Sequence, residues 1–498
     1  MAQNPIIFAD VPDVSMIRQG DTYYMSSTTM HLSPGLPIMK SKDLVNWELV
    51  NYAYERLGDV DALNLENGEQ AYGRGSWASS LRFNKGVFYV TTFSASTGKT
   101  HIFYTKDIEQ AGPWKEIAFA PSLHDNSLFF DDDGKAYLIW GAGKLMMAQL
   151  KDDLSGIKEG TERVLIENAS LPAGDNINLA AEGSQLFKVH GKYYLFNITW
   201  PKNGMRTVLI HRADTITGPY EGRLALQNKG VAQGGLIDTP DGQWFSYLFR
   251  DYGAVGRIPY LVPVHWEDGW PVLGEDGKVP DTLQLPPNRP IIPGIVASDD
   301  FNRDNESSDL PLVWQWNHNP VDTLWSLTER KGFLRLTTAR KDTSLLTVKN
   351  ILTQRTLGPE STGTTAIDVS KMKNGDVAGL MLLQKNYGYV GVVMSNDMKY
   401  VVISKIENDT LMEKLRVPLN QDTVYLKAYC DFRDKIDKAS FSYSLDGTTW
   451  NSIGEVLNMK YTLPHFMGYR FGLFNQATIA PGGSIDFDYF NIFNSENQ

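Results

Sequence analysis

One local pattern recurs five times in the chain and limits its folds more than any other feature. A turn glycine is followed at once by a short aromatic-rich strand. The five copies are GDTYYMSST from Gly20, GVFYVTTFS from Gly86, GKAYLIWG from Gly134, GKYYLFNIT from Gly191 and GQWFSYLF from Gly242, at intervals of 66, 48, 57 and 51 residues. Each reads as the bend of a β-hairpin, with Asp-Gly or a similar pair at the turn. A second signal trails each hairpin, in SKDLVNW (41–47), TKDIEQAGPW (105–114), LKDDLSG (150–156), RADTITGPY (212–220) and HWEDGW (265–270). A polar turn and an aromatic residue suit the outer strand of a four-stranded unit. Five units of about 50 residues predict a five-bladed β-propeller, with a plain antiparallel sandwich of similar hairpins as the alternative.

The repeat also carries a phase. Nine residues before four of the glycines stand Trp77, Asp125, Glu182 and Gln233, and Asp13 lies seven before Gly20. In a propeller the innermost strands surround a central channel. Repeat symmetry would therefore gather these five residues at one mouth. Two carboxylates flanking a glycosidic bond are the usual minimum for its hydrolysis, one as acid and one as base or nucleophile. The acid must keep its proton near neutral pH, which burial or a neighbouring negative charge achieves. Leu179, Ala180 and Ala181 before Glu182 suggest such a dry place. Asp13 in VPDVSMI and Asp125 in LHDNSLFF stand before apolar strands in the same manner. Any one of them alone reads as a turn cap. Three in phase point to a site.

Bulk properties narrow the classes. With 498 residues the chain has room for two or three domains. A formal net charge of -11 and scattered basic residues argue against a nucleic-acid surface. No apolar run reaches the length of a membrane span. The single cysteine, Cys430, excludes internal disulfides and cysteine-metal clusters. The start, MAQNPII, shows no signal-peptide pattern, so the expected compartment is secreted or periplasmic if a leader was removed and cytoplasmic otherwise. Aromatics, 11% of the chain, serve strand packing and sugar stacking alike. P-loop, GxSxG and HExxH motifs are absent.

These motifs resemble those of glycoside hydrolase family 43, the five-bladed propeller enzymes acting as β-xylosidases, α-L-arabinofuranosidases and arabinanases. NPIIFADVPDVSMIRQGDTYYMSST resembles the family's opening segment and implies Asp13 as general base, with Asp10 a nearby decoy. HDNSLFFDDDGKAYL resembles the middle motif and implies Asp125 as the carboxylate that tunes and orients the acid. EGSQLFKVHGKYYL stands where the family's motif resembles EGPHLYKxxGxYYL, which implies Glu182 as general acid. GSWASS implies Trp77 on the subsite wall, and GRIPYLVPVHWEDGW implies Arg257 as a sugar-contacting or channel arginine. His124, beside Asp125, joins the substrate-binding candidates. Gln233 stands where many members carry a channel-facing histidine, which weakens the case for a histidine-centred metal or water site. SPGLPIMKSKDLVNWELV is similar to exo-acting members. The family inverts configuration, so the Asp13 and Glu182 carboxyls are expected about 6.5–9.5 Å apart, with room for water between.

After the Pro-rich run PPNRPIIPG the pattern changes to GFLRLTT, TTAIDVS, VAGLMLLQ, GYVGVVMS and further alternating strands. The expected organisation is all-β: a five-bladed β-propeller over 1–285, a linker over 286–298 and a jelly-roll β-sandwich over 299–498. WQWNHNP (314–320) and WSLTERKGFLRL resemble the concanavalin-like domain behind the propeller of xylosidase members, which implies a loop lent to the pocket. No cofactor is expected to be required. Asp300 and Asp488 are candidates for a structural calcium. The expected activity is exo-acting, inverting removal of terminal α-L-arabinofuranosyl or β-D-xylosyl residues, with an oligo- or polysaccharide as partner. An endo-arabinanase and a non-catalytic sugar-binding propeller are the alternatives.

Overall fold

A computed structural model of the chain describes residues 1–110, 112, 114–303, 309–452 and 456–495. Five four-stranded antiparallel sheets follow one another along the first part of the sequence. Blade I comprises Ser15–Gln19, Thr22–Ser26, Gly35–Ser41 and Glu48–Tyr54. Blade II comprises Ser80–Asn84, Val87–Ser94, Lys99–Thr105 and Lys115–Phe119. Blade III comprises Ser127–Phe130, Ala136–Ala142, Lys144–Gln149 and Arg163–Ile166. Blade IV comprises Ile177–Val189, Lys192–Pro201, Thr207–Ala213 and Glu221–Leu226. Blade V comprises Ala232–Asp238, Trp244–Asp251, Arg257–Glu267 and Trp270–Leu273.

Each turn glycine joins the first two strands of its blade. The second sequence signal falls on the turn into the fourth strand, and Trp270 itself opens that strand. Of TKDIEQAGPW, Ala111 and Pro113 lie outside the described residues. Second strands such as Thr22–Ser26 are buried along their whole length. The fourth strands of blades II and IV show exposed Lys115, Glu116, Glu221 and Arg223, the charges that discourage edge-to-edge pairing.

The innermost strands are stitched by serine hydroxyls. The amides of Leu81, Leu128 and Leu186 donate to Ser15, Ser80 and Ser127 Oγ at 2.9, 3.2 and 3.1 Å. The ring closes where Arg18 forks onto Asp238, at 3.0 and 2.5 Å, bridging blades I and V. The N-terminal Ala2–Gln3 pairs with Thr282–Leu283 after blade V.

This stitching corrects the sequence phase. Residues two before the stitched positions are Asp13, Ala78 and Asp125, with Gly183 and Gln233 equivalent in blades IV and V. Trp77 and Glu182 each stand one residue earlier. Counting from the glycines misplaces them because the turns differ in length. Gln19↔Thr22, Asn84↔Val87 and Val189↔Lys192 enclose two residues, whereas Phe130↔Ala136 and Asp238↔Trp244 enclose five.

The C-terminal part packs two large antiparallel sheets face to face. One runs in the order Thr410–Leu419, Met398–Glu407, Gly388–Ser395, Asp376–Leu383, Arg470–Ala477, Leu352–Arg355, Gln315–Asn317 and then Leu32–Ser33. Its last strand comes from blade I, through the pairs Trp316↔Ser33 and Asn317↔Leu32. The other sheet centres on Glu360–Asp368 between Ser484–Asn494 and Thr423–Asp431. One apolar cluster runs unbroken from Val11, Phe196 and Leu261 to Phe471, Phe487 and Ile492, so propeller and sandwich share a core. Among the described residues no helix is long and apolar enough to cross a membrane.

Candidate active site

Asp13, Asp125, Gly183 and Gln233 line one small cavity of about 10 Å3 at the channel mouth, enough for the centre of one water molecule. All four have left-handed backbones, with φ of 52, 48, 66 and 53°. Strand pairing slips between Glu182 and Gln185 and between Ala232 and Gly235. Such bulges re-aim side chains near sites, and holding non-glycine residues there costs on the order of 1–3 kcal/mol each. Glycine suits position 183 because of its φ of 66°, and a Cβ there would displace the Gln233 side chain, whose Cδ lies 2.8 Å away. The Gly183 amide donates to Asp125 Oδ2 at 2.9 Å.

Asp13 and Arg257 form a buried pair. Arg257 Nη1 donates to Asp13 Oδ1 at 2.8 Å, and the two side chains are 3% and 5% exposed. Among the described residues, Asp13 Oδ2 and Arg257 Nε and Nη2 have no hydrogen-bond partner. Burial pushes the Asp13 carboxyl above the usual carboxylate range. Arg257 opposes that push, and the charges of Asp10 and Glu182 add to it. Asp10 is spent on structure, accepting the amides of Arg257 and Gly468 at 2.8 Å each.

Asp125 is also buried, and its carboxyl is driven up to about 7. Burial is the main cause; His124 opposes, and Glu182 and Asp13 add to it. His124 Nε2 lies 2.8 Å from Glu182 Oε2 and 3.7 Å from Asp125 Oδ2. Burial works against a charged imidazole there. The bond to Glu182 and the two negative charges outweigh it and raise His124 to about 9. The expected dry pocket around Glu182 is not found. Its side chain is 21% exposed, Leu179 is half-buried and Ala180 is exposed, leaving Ala181 alone enclosed. The deep burial expected for the acid falls on Asp13 and Asp125 instead.

Aromatic rings wall the mouth. Trp77 stacks with Phe93 at 6.3 Å, and Phe93 meets His124 edge-on at 5.2 Å. Phe466 of the sandwich reaches Trp77 at 4.7 Å, and the Arg257 guanidinium lies 5.0 Å from its ring centroid. The sandwich therefore lends a loop to the mouth. Sequence reasoning missed Phe466 because nothing local ties it to blade II. Arg82 was also missed, although a lone arginine in the inner strand SLRFN was a signal. It reaches into the channel and donates to Leu128 O at 2.8 Å and Gln185 Oε1 at 3.1 Å.

Among the described residues, His124, Asp125 and Glu182 are the one set of three side chains close enough to share an ion. Asp300 and Asp488 sense each other's charge and both are exposed, and among the described residues neither belongs to a set of three side chains close enough to share an ion. Calcium takes 6–8 oxygens, more than these two carboxylates supply by themselves. A larger cleft of about 710 Å3 opens elsewhere, between the chain start, Trp47 and the Pro287–Gly294 crossing. Of its two carboxylates, Asp43 and Glu48, Asp43 is committed to the amides of Val45 and Asn46.

Residues 2–271 match the glycosyl hydrolases family 43, and residues 298–492 match the beta xylosidase C-terminal concanavalin A-like domain. The chain belongs to glycosyl hydrolase family 43. It is a glycoside hydrolase, and its substrate is a carbohydrate. A beta-xylosidase of Formosa agariphila is 30% identical over 98% of this chain and 89% of its own length. A non-reducing end alpha-L-arabinofuranosidase of Bacteroides ovatus is 28% identical over 82% of this chain and 79% of its own. The solved structure of a bifunctional GH43-CE protein of Bacteroides eggerthii is 64% identical, with a TM-score of 0.98 over 99% of this chain. This chain spans 64% of that protein.

Proposed function

We propose that this family 43 hydrolase is exo-acting and inverting, and removes terminal α-L-arabinofuranosyl or β-D-xylosyl residues from hemicellulose-derived glycans. The observation that carries the reading is the free Asp13 Oδ2 beside a water-sized cavity, while Oδ1 is fixed by Arg257. A general base needs such an arrangement: one oxygen held and the other open to the water it activates. Asp13 takes that proton, and Arg257 favours its ionised form against the push of burial.

Glu182 serves as general acid towards the departing oxygen. Its Oε2 lies 2.8 Å from His124 Nε2, a neighbour through which a proton can reach it. Asp125 holds the Gly183 backbone beside Glu182 and contributes negative charge above about pH 7. Trp77 and Phe466 close the mouth like a pocket and so favour cleavage at chain ends. Gln233 and Arg257 offer polar contacts to the sugar in the −1 position. The relatives named beta-xylosidase and alpha-L-arabinofuranosidase support both sugars as candidates.

Paired assays with 4-nitrophenyl β-D-xylopyranoside and α-L-arabinofuranoside would decide the sugar. Proton NMR of the first-formed anomer tests inversion: a product with retained configuration would overturn the roles of Asp13 and Glu182. Release of oligomers from arabinan would instead indicate an endo-arabinanase.

A further inference from the structure

A second buried cluster lies where propeller and sandwich meet. It joins His31 from the blade I loop, Tyr72 from the connection to blade II, His318 after Gln315–Asn317, and His465 from the segment before Arg470–Ala477. Tyr72 stacks on His465 at 4.0 Å with the rings 8° apart. His31 lies 4.4 Å from both Tyr72 and His318, and Tyr72 meets His318 edge-on at 4.7 Å. His31 Nε2 pairs with Asn317 Oδ1 at 2.7 Å, His318 Nε2 accepts the Ala71 amide at 3.0 Å, and Asn317 Nδ2 donates to Tyr72 Oη at 2.7 Å. Each of the three histidines leaves Nδ1 unpartnered.

The charges facing this stack are cations. Arg470 acts on His31, Lys349 on His318 and Lys385 on His465, and the Tyr387 phenol faces Tyr72. Two of these cations carry anions of their own, Lys349 pairing with Glu66 and Lys385 with Asp409. Burial, helped by these cations, therefore keeps the imidazoles neutral. His31 and His465 are pulled down to about 3 from 6.5, and His318 is pulled well below its usual value. Their folded values are depressed, so the unfolded chain binds more protons between pH 6.5 and about 3. Stability at this junction falls as pH falls through that window.

His465 immediately precedes Phe466, the ring at the pocket mouth. Phe466 has a φ of 54°, uncommon for a bulky residue, so its surroundings must hold it there. Its amide donates to Thr462 O at 2.9 Å. Gln384 accepts from Thr462 Oγ1 at 2.7 Å and donates to Met467 O at 2.9 Å, bracing both sides of the segment. We propose that His465, clamped on Tyr72 within the His31–His318 stack, is a positioning residue that sets Phe466 at the pocket mouth and releases it when the stack is protonated. The effect on turnover rests on the hydrolase reading above; the effect on the loop does not.

The test compares wild type with His465→Ala, His465→Phe, Phe466→Ala and the Ala–Ala double variant of the full chain. Steady-state kinetics on the better nitrophenyl glycoside would be run at pH 7 and about pH 5, and amide exchange would be followed in 459–468. The expected result for His465→Ala is a KM raised roughly fivefold to tenfold, the scale of one lost aromatic contact, with kcat within twofold and faster exchange in 459–468. His465→Phe keeps the ring without its titration, so it restores KM and flattens its rise in acid. The double variant is no worse than Phe466→Ala, because His465 acts through that ring. Unchanged KM and exchange in His465→Ala, or additive effects in the double variant, would overturn the proposal. If His465→Ala does not fold, the acid dependence of KM in His465→Phe decides: a rise equal to wild type overturns it. If wild type turns over neither glycoside, the proposed sugar specificity is at fault and the exchange data alone judge the clamp.

Discussion

Arg257 and Arg82 both point into the propeller channel, yet their surroundings differ in kind. Arg257, at the mouth, faces a carboxylate and leaves Nε and Nη2 unpartnered. Arg82, deeper down, has no carboxylate partner among the described residues. It spends itself on neutral acceptors, the carbonyls of Leu81, Leu128 and Leu186 with Ser127 Oγ and Gln185 Oε1. A structural arginine is satisfied by its surroundings; one beside reacting groups is left with spare donors and a charged neighbour. The same contrast separates the mouth carboxylates, buried and crowded with like charge, from the neutral histidine stack at the domain junction. The stack too leaves three Nδ1 atoms unpartnered, so it is unmet polar demand joined to crowded charge that marks where a ligand is to fit.

The comparison breaks first at Asp13. Asp13→Asn keeps shape and a partner for Arg257 but cannot take a proton. The expected loss in kcat is on the order of 10³-fold or more, read with both nitrophenyl glycosides. A loss below about tenfold would return Asp13 to a merely structural role. Glu182→Gln comes next, with about 10²–10³-fold lost on xylo-oligosaccharides. The loss should be smaller on nitrophenyl glycosides, whose leaving group needs little protonation. Equal losses on both substrates would argue against Glu182 as the acid.

Asp125→Asn is expected to cost about 10–100-fold in kcat/KM, the range for a group that orients rather than reacts, and to alter the pH profile. The folded carboxyl titrates near 7 against 3.8 in the unfolded chain. Between those values the folded state binds the extra proton, so stability associated with Asp125 is present at low pH and is lost as pH rises towards 7. The melting temperature of wild type relative to Asp125→Asn should therefore fall across that window. A difference that stays flat from pH 4 to 7 would contradict the raised value.

What could be read from sequence follows the range of the forces involved. The blades were legible because strand alternation and turn glycines are local, and Asp13, Asp125 and Gln233 emerged because the repeat carries them to one mouth. Trp77 and Glu182 came out one residue out of phase, since two-residue and five-residue turns look alike when counted from a glycine. The burial expected around Glu182 was inferred from adjacent alanines, but in a bulged strand neighbours in sequence do not enclose a side chain. Phe466, the histidine stack and the added strand Leu32–Ser33 depend on contacts between segments far apart in sequence, such as Asn317↔Leu32, and no local pattern announces them.

The smallest effect on activity is expected deeper in the channel, at Arg82→Met. Methionine fills much of the aliphatic volume of arginine but donates nothing. Leu128 O and Gln185 Oε1 then lose donors held at 2.8 and 3.1 Å, and each uncompensated acceptor costs about 1–3 kcal/mol. Burial already weakens the hold of Arg82 on its proton, with no carboxylate to offset it, so removing the charge regains part of that cost. The net expectation is a destabilisation of about 1–3 kcal/mol by urea denaturation, with kcat within roughly threefold of wild type because Asp13, Asp125 and Glu182 keep their partners. Arg257→Met should do the reverse and cost catalysis more than stability, since it strips Asp13 of its counter-charge while leaving few other acceptors unmet. Equal activity losses in the two variants would mean that the channel acts as one electrostatic unit and that the division between mouth and throat does not hold.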